Sequence, residues 1–190
     1  DSYVRISSRG PTSFAENTFV TSGTSLDIIG NKGIFLDKGA VLQSKLEDGS
    51  KNHTSLVSEH GDIRLGENSV VQGQTAYIRT GDESGVGGGS IELGDNSQVS
   101  ARDNVSMNVT GDVVLDGQFL STSLHETEIR SSEGNVVLKD ESELFSYGDV
   151  YLDAAGSIDI GSDSFIFAGN DPAHTATGSS GISSATPALT

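Results

Sequence analysis

Five acidic side chains recur where the chain turns, and cation binding is the chemistry their spacing suggests. Glu67 and Asp95 hold the sixth position after a repeated glycine, Asp140 and Glu141 the sixth and seventh in a later repeat, and Asp163 the seventh in the last. Stacked strands lie about 4.8 Å apart, so equivalent carboxylates on neighbouring repeats could share a hard cation such as Ca²⁺. The competing reading is a row of solvated turn residues that keep the particle soluble and block lateral association. Calcium needs about six or more converging oxygens. The Gly-Gly-x-Gly-x-Asp nonapeptide that builds calcium into a β-roll is missing from the sequence. Both readings stand, and no other cofactor is indicated.

Catalytic constellations are harder to find. Enzymes that act on polysaccharide need clustered carboxylates with Arg or Lys on one face. Arg64, Arg79, Arg102 and Arg130 fall at differing positions within the repeat, and His53, His60, His125 and His174 are scattered without a partner at motif spacing. Glu126 and Glu128 share one strand face, which is the ordinary pattern of an exposed pair. A non-catalytic protein is expected. Three N-x-[Ser/Thr] sites occur, at Asn52, Asn104 and Asn108. Asn52 is the favoured glycan acceptor because it falls in a polar stretch, Lys45 to Thr54, read as a protruding loop. Asn104 and Asn108 face outward if Val105, Met107 and Val109 point inward.

The elements that position these residues come from a repeated phrase. It reads Gly61-Asp-Ile-Arg-Leu65, Gly89-Ser-Ile-Glu-Leu93, Gly111-Asp-Val-Val-Leu115, Gly134-Asn-Val-Val-Leu138 and Gly156-Ser-Ile-Asp-Ile160, with glycines 28, 22, 23 and 22 residues apart. Three short alternating segments follow each glycine; after Gly134 they are Val136/Leu138, Leu144/Ser146 and Val150/Leu152/Ala154. Alternation over so few residues marks half-buried strands. Corners such as Gly66-Glu-Asn-Ser69, Gly94-Asp-Asn-Ser97 and Gly161-Ser-Asp-Ser164 separate them. There the glycine is expected to take the positive φ that a tight turn needs. No helical spacing is sustained. The predicted fold is all-β: a single-stranded parallel β-helix, a solenoid with coils of about 22 residues, right-handed as parallel crossovers are. Leu65, Leu93, Leu115, Leu138 and Ile160 should form one inward ladder. Residues 1–22, without the phrase, read as an atypical N-terminal cap or assembly segment; 23–169 as the β-helix, with a corner insertion at 81–88; and 170–190 as a Gly/Ser/Thr/Ala-rich tail.

Composition agrees with a thin core. Hydrophobic residues make up 34% and aromatics 6%, with 24 Gly, three Pro and no Trp. No run of 18 or more apolar residues exists, so no membrane insertion is expected. Disulfides are excluded because there is no Cys. Net charge is −16, carried unevenly: residues 1–64 have seven bases against eight acids, whereas 140–190 have eight acids and no base. Such a field repels nucleic acid and favours cations or basic surfaces.

The phrase Gly-[Asp/Ser/Asn]-[Ile/Val]-x-[Leu/Ile] with its acidic or Asn-Ser turn, best developed in Gly85 to Ala101, resembles the β-helical repeats of filamentous-haemagglutinin-like exoproteins of bacteria over residues 61–169. Sarcoglycan-type ectodomains have a similar short-strand pattern. Either resemblance implies an extracellular or cell-surface, non-catalytic, elongated adhesive or scaffold protein. The expected function is a structural subunit of a surface fibre. The alternatives are a monomeric carbohydrate- or receptor-binding module using corner loops 45–54 and 81–88, and, third, a polysaccharide-acting enzyme. Uneven charge and open strand edges together predict head-to-tail self-association through 170–190 or 1–22, with a cell-surface or matrix ligand as a further partner.

Overall fold

The computed structural model describes residues 2–46, 52–82, 86–116, 118–123 and 125–169, and every element among them is a β-strand. The alternating segments pair with the equivalent segment one repeat further on, always in parallel. One sheet runs β1 (Val4–Ser8), β4 (Leu26–Gly30), β7 (His53–Ser58), β9 (Val70–Thr80), β11 (Gln98–Val109), β14 (Glu126–Ser131) and β17 (Asp149–Ala154), and β3 (Phe19–Ser22) joins it through β6 (Val41–Ser44), which pairs with β9. A second runs β2 (Thr12–Phe14), β5 (Ile34–Leu36), β8 (Ile63–Leu65), β10 (Ile91–Leu93), β12 (Val113–Leu115), β15 (Val136–Leu138) and β18 (Ile158–Ile160). The third holds β13 (Gln118–Ser123), β16 (Glu143–Ser146) and β19 (Phe165–Ala168). The chain is therefore all-β with long parallel sheets.

The repeat phrase is the second sheet. Its Ile or Val and its Leu point inward while the residue between them faces out. Two ladders result, Ile34–Ile63–Ile91–Val113–Val136 and Leu36–Leu65–Leu93–Leu115–Leu138, all buried. From the facing sheet come Ile28, Leu56, Ile78, Met107 and Ile129, equally buried. Ile160 departs from the expected ladder. It continues the register from Leu138 but is 46% exposed, because among the described residues β18 is the last strand of its sheet and none covers it from beyond.

Buried hydroxyls end the long-sheet strands. Ser58 Oγ donates to the Gly61 carbonyl at 2.7 Å, Thr80 Oγ1 to Gly89 at 2.6 Å and Ser131 Oγ to Gly111 at 2.7 Å, satisfying carbonyls where the chain bends.

Residues 4–22 lack the phrase, yet they supply β1, β2 and β3, each paired in parallel with β4, β5 and β6. Two readings change. His53 and Thr54 belong to strand β7 rather than to a loop, while 47–51, like 83–85 of the corner insertion and the 170–190 tail with His174, lie outside the described residues. The second and third segments after Gly89 form one strand, β11, with an irregularity between Ala101 and Asn104.

Candidate functional site

The acidic corners share one backbone design. Three of the turns close with a hydrogen bond three residues back: Ser69 N to Gly66 O at 3.1 Å, Ser97 N to Gly94 O at 3.0 Å and Ser142 N to Lys139 O at 3.2 Å. The residue before the closing Ser takes the left-handed conformation: Asn68 (φ 57°), Asn96 (52°), Glu141 (61°) and Asp163 (57°). Asn tolerates that region better than other side chains, which accounts for the Asn-Ser pairs. This corrects the expectation for the corner glycines. Gly66, Gly94 and Gly161 do not have positive φ; they are glycine because a Cβ would press on the previous repeat, 2.7 Å from Leu36 O at Gly66 and 2.5 Å from Asp140 N at Gly161.

The left-handed residues also tie successive turns together. Gly39 N donates to Glu67 O at 2.9 Å, Asn68 N to Asp95 O at 3.0 Å and Glu141 N to Ser162 O at 2.9 Å. Lys38, Glu67 and Asp95 therefore form one row, and Asp140 with Ser162 another. The repeat between them has only Asp116 and residue 117 between Leu115 and Gln118, where the others have four residues, so the five acids fall into two groups. Glu67 is already engaged: Lys38 Nζ lies 2.7 Å from it and Asn68 Nδ2 3.0 Å. That hydrogen bond and charge hold the Glu67 carboxyl below, and the Lys38 ammonium above, their ordinary pKa values. Asp140 Oδ1 accepts from Ser162 N at 2.8 Å. Among the described residues no three His, Asp or Glu side chains gather closely enough to hold a metal ion. Glu141 is the rung with least intrinsic tolerance for its φ. Glu141→Asn and Glu141→Gly should each raise stability by about 1 kcal/mol, read as a higher urea midpoint at unchanged slope.

Asn52 is buried, and its amide nitrogen, the atom a glycan would join, donates to Lys45 O at 3.1 Å. Asn104 and Asn108 do face outward beside buried Val105, Met107 and Val109. Asn108 Nδ2 donates to Ser106 Oγ at 2.9 Å.

The outward face of the long sheet gathers most of the remaining polar chemistry in three rows. The first contains His53, Thr75, Asn104, Glu126 and Asp149; the second Arg5, Asp27, Ser55, Tyr77, Ser106, Glu128 and Tyr151; the third Val57, Arg79, Asn108, Arg130 and Asp153. Glu126 and Glu128 lie on this face two positions apart, and Glu128 is 3.4 Å from Arg130, which also reaches Asp153 at 3.1 Å. Arg79 and Arg130 share one row, correcting the expectation that the central arginines occupy unrelated positions. Arg79 lies 18 residues after its repeat glycine and Arg130 19, and this offset of one, which hides the match in the sequence, corresponds to the extra residue that β11 carries relative to β9 between Ala101 and Asn104.

Sequence reasoning also missed a hydrogen-bonded chain at the start of this face. Ser25 Oγ lies 3.2 Å from His53 Nδ1, Asp27 Oδ1 lies 2.9 Å from His53 Nε2, and Tyr3 Oη donates to Asp27 Oδ2 at 2.7 Å. The partners are 24 to 28 residues apart in sequence and meet only through strand pairing. The hydrogen bond to Asp27 retains the Tyr3 proton, raising its pKa. This chain pins the segments around β1, β4 and β7 to one another on their outer side.

No family model matches the chain, and no solved structure matches it. Among curated proteins, a head decoration protein of Enterobacteria phage P21 is 96% identical over 25 residues, which are 13% of this chain and 22% of that protein. The chain thus spans about a fifth of the length of that relative.

Proposed function

We propose that the three sheets wind as one single-stranded, right-handed parallel β-helix with coils of about 22 residues, built from filamentous-haemagglutinin-like repeats, and that the chain is a non-catalytic structural subunit that stacks end to end with its own copies. The observation that carries this reading is the open register at the two ends. Among the described residues, sheets one and two finish at β1 and β2 on one side and β17 and β18 on the other, and β19 ends the third. Continuing the register places Val4 and Ile6 of a second copy opposite Val150 and Leu152, Phe14 opposite Ile160, and Phe19 and Val20 opposite Phe165 and Ile166. Those positions are apolar on both sides, and all but Phe14, which is buried, are half-buried or exposed, with Phe165 53% and Phe19 61% exposed. Charge runs the same way: β1 and its turn carry Arg5 and Arg9, whereas Asp149, Asp153, Asp159 and Asp163 lie on the last strands and corner. The short identity with a head decoration protein, by its name a structural part, agrees with a structural role. A location on the outside of a cell or particle is part of this proposal.

Sedimentation velocity over a wide concentration range tests it. The intact protein should grow in size with concentration, less so at high salt because the end charges are screened. Phe165→Glu should remain monomeric with unchanged circular dichroism. A protein that stays monomeric at its solubility limit, or a Phe165→Glu variant that assembles as well as the parent, overturns the reading.

A further inference from the structure

We infer that the outward face of the long sheet holds a binding site for an acidic sugar, a pyranose carrying one carboxylate, with Arg79 as the carboxylate ligand and Tyr77 as the ring platform. The site starts from an unusual charge. In a chain of net charge −16, Arg79 makes no ion pair or hydrogen bond with any described residue, and its Nε is buried without a partner. The two Nη groups are not buried and have no partner among the described residues, so they are the end of the guanidinium that a ligand can reach, while the buried Nε holds the side chain in place beside it. Arg79 lines a pocket of about 300 Å³ together with Asn108, Thr110, Arg130, Asp82 and Ser132.

The remaining groups select the ligand. Arg130 is already shared between Glu128 and Asp153, so the positive charge left to the pocket is chiefly that of Arg79. Asp82 lies in the same wall, its Oδ1 accepting from Val86 N at 3.0 Å. One uncompensated guanidinium beside a carboxylate suits a monoanion and disfavours phosphate or a polyanion, which the net charge also repels. The guanidinium fork matches a carboxylate in two parallel hydrogen bonds. Tyr77 precedes Arg79 by two positions on the same strand and face, about 6.6 Å away, and is 48% exposed. His53 meets the Tyr77 ring edge-to-face at 6.3 Å, which fixes its orientation. Asn108, with Nδ2 committed to Ser106, keeps its carbonyl oxygen for a sugar hydroxyl. A flat ring on Tyr77 with its carboxylate on Arg79 and a hydroxyl on Asn108 uses each of these groups.

Titration of the intact 190-residue chain at low salt tests the site, with glucuronate and galacturonate as ligands and glucose, acetate and inorganic phosphate as comparators. Binding is followed by calorimetry and by the Arg Nε–Hε and Tyr ring resonances. Glucuronate or galacturonate should bind saturably, with a dissociation constant on the order of millimolar, and shift the Arg79 and Tyr77 signals. Arg79→Gln should weaken binding roughly tenfold or more, and Arg79→Lys nearly as much because the flat fork is lost. Tyr77→Ala should weaken the sugar but leave acetate unaffected. Unchanged circular dichroism shows that the variants are folded. The proposal is overturned if neither uronate saturates, if acetate or phosphate binds as tightly as the uronates, or if Arg79→Gln binds like the parent. Performing the titration in the Phe165→Glu background separates this result from self-association.

Discussion

Leu115→Asp should unfold the protein or lower its stability by about 3–5 kcal/mol. Leu115 is 1% exposed and is the fourth rung of the five from Leu36 to Leu138, with Leu93 above it and Leu138 below. An aspartate there meets leucines on both sides and has no cation within its row. It must either stay charged without water or take up a proton at an elevated pKa, and both routes cost stability. The effect should therefore be worst at neutral pH and ease on mild acidification, because a carboxyl whose pKa is raised by burial destabilises the fold above that pKa. Val114→Thr, one residue away but facing outward, should change stability by no more than about 0.5 kcal/mol. Urea unfolding of both variants decides it; a Leu115→Asp protein as stable as its parent would mean that the ladder is wrongly registered.

Gly134→Val should be nearly as damaging, for a steric reason rather than an electrostatic one. A Cβ at residue 134 would lie 2.6 Å from the Gly111 carbonyl carbon and 2.7 Å from Asp112 N. Both are backbone atoms of the neighbouring repeat and cannot rotate away. The approach is held close by Asn135 N donating to Asp112 Oδ1 at 2.8 Å. The same crowding appears at Gly89, whose Cβ would sit 2.5 Å from the Gly61 carbonyl carbon. Relieving it requires separating two repeats and breaking the hydrogen bonds between them, so a loss of about 3 kcal/mol or more is expected. Gly10→Ala is the control. Its Cβ would meet only Ser8 Oγ at 3.7 Å, and the change should stay within about 0.5 kcal/mol. Thermal melts that rank the two glycines equally would refute the close-approach account.

That pair shows why the strands were legible in the sequence and the corners only partly so. Gly134-Asn-Val-Val-Leu138 displays strand, inward face and repeat boundary together, since alternation and burial obey one period. The parallel all-β architecture follows from reading that phrase five times. The role of a glycine does not follow, because a residue lacking a Cβ for conformational freedom looks the same as one lacking it for proximity. Gly66 belongs to the second kind and Asn68 takes the turn conformation instead. The outward face was legible only locally. Asn104 and Asn108 could be placed by alternation, but the Ser25–His53–Asp27 chain and the Arg79–Asn108–Arg130 row depend on registers of 22 to 29 residues that insertions alter from repeat to repeat. The acids were found by position after the glycine, yet the short turn after Leu115, which divides them, leaves that position undefined for one repeat.

The parallel pairing of each strand with its successor also determines how the molecule yields to force. The hydrogen bonds that join repeats point along the direction in which repeats accumulate, so a pull on one end loads only the outermost set. The chain should peel rather than shear. Each event would release the 22 or 23 residues that separate Val105 from Thr127 and Thr127 from Val150. At about 3.4 Å per extended residue that is roughly 75 Å of slack. A chain that gives way in such steps would dissipate a sudden load over many small ruptures instead of parting at one.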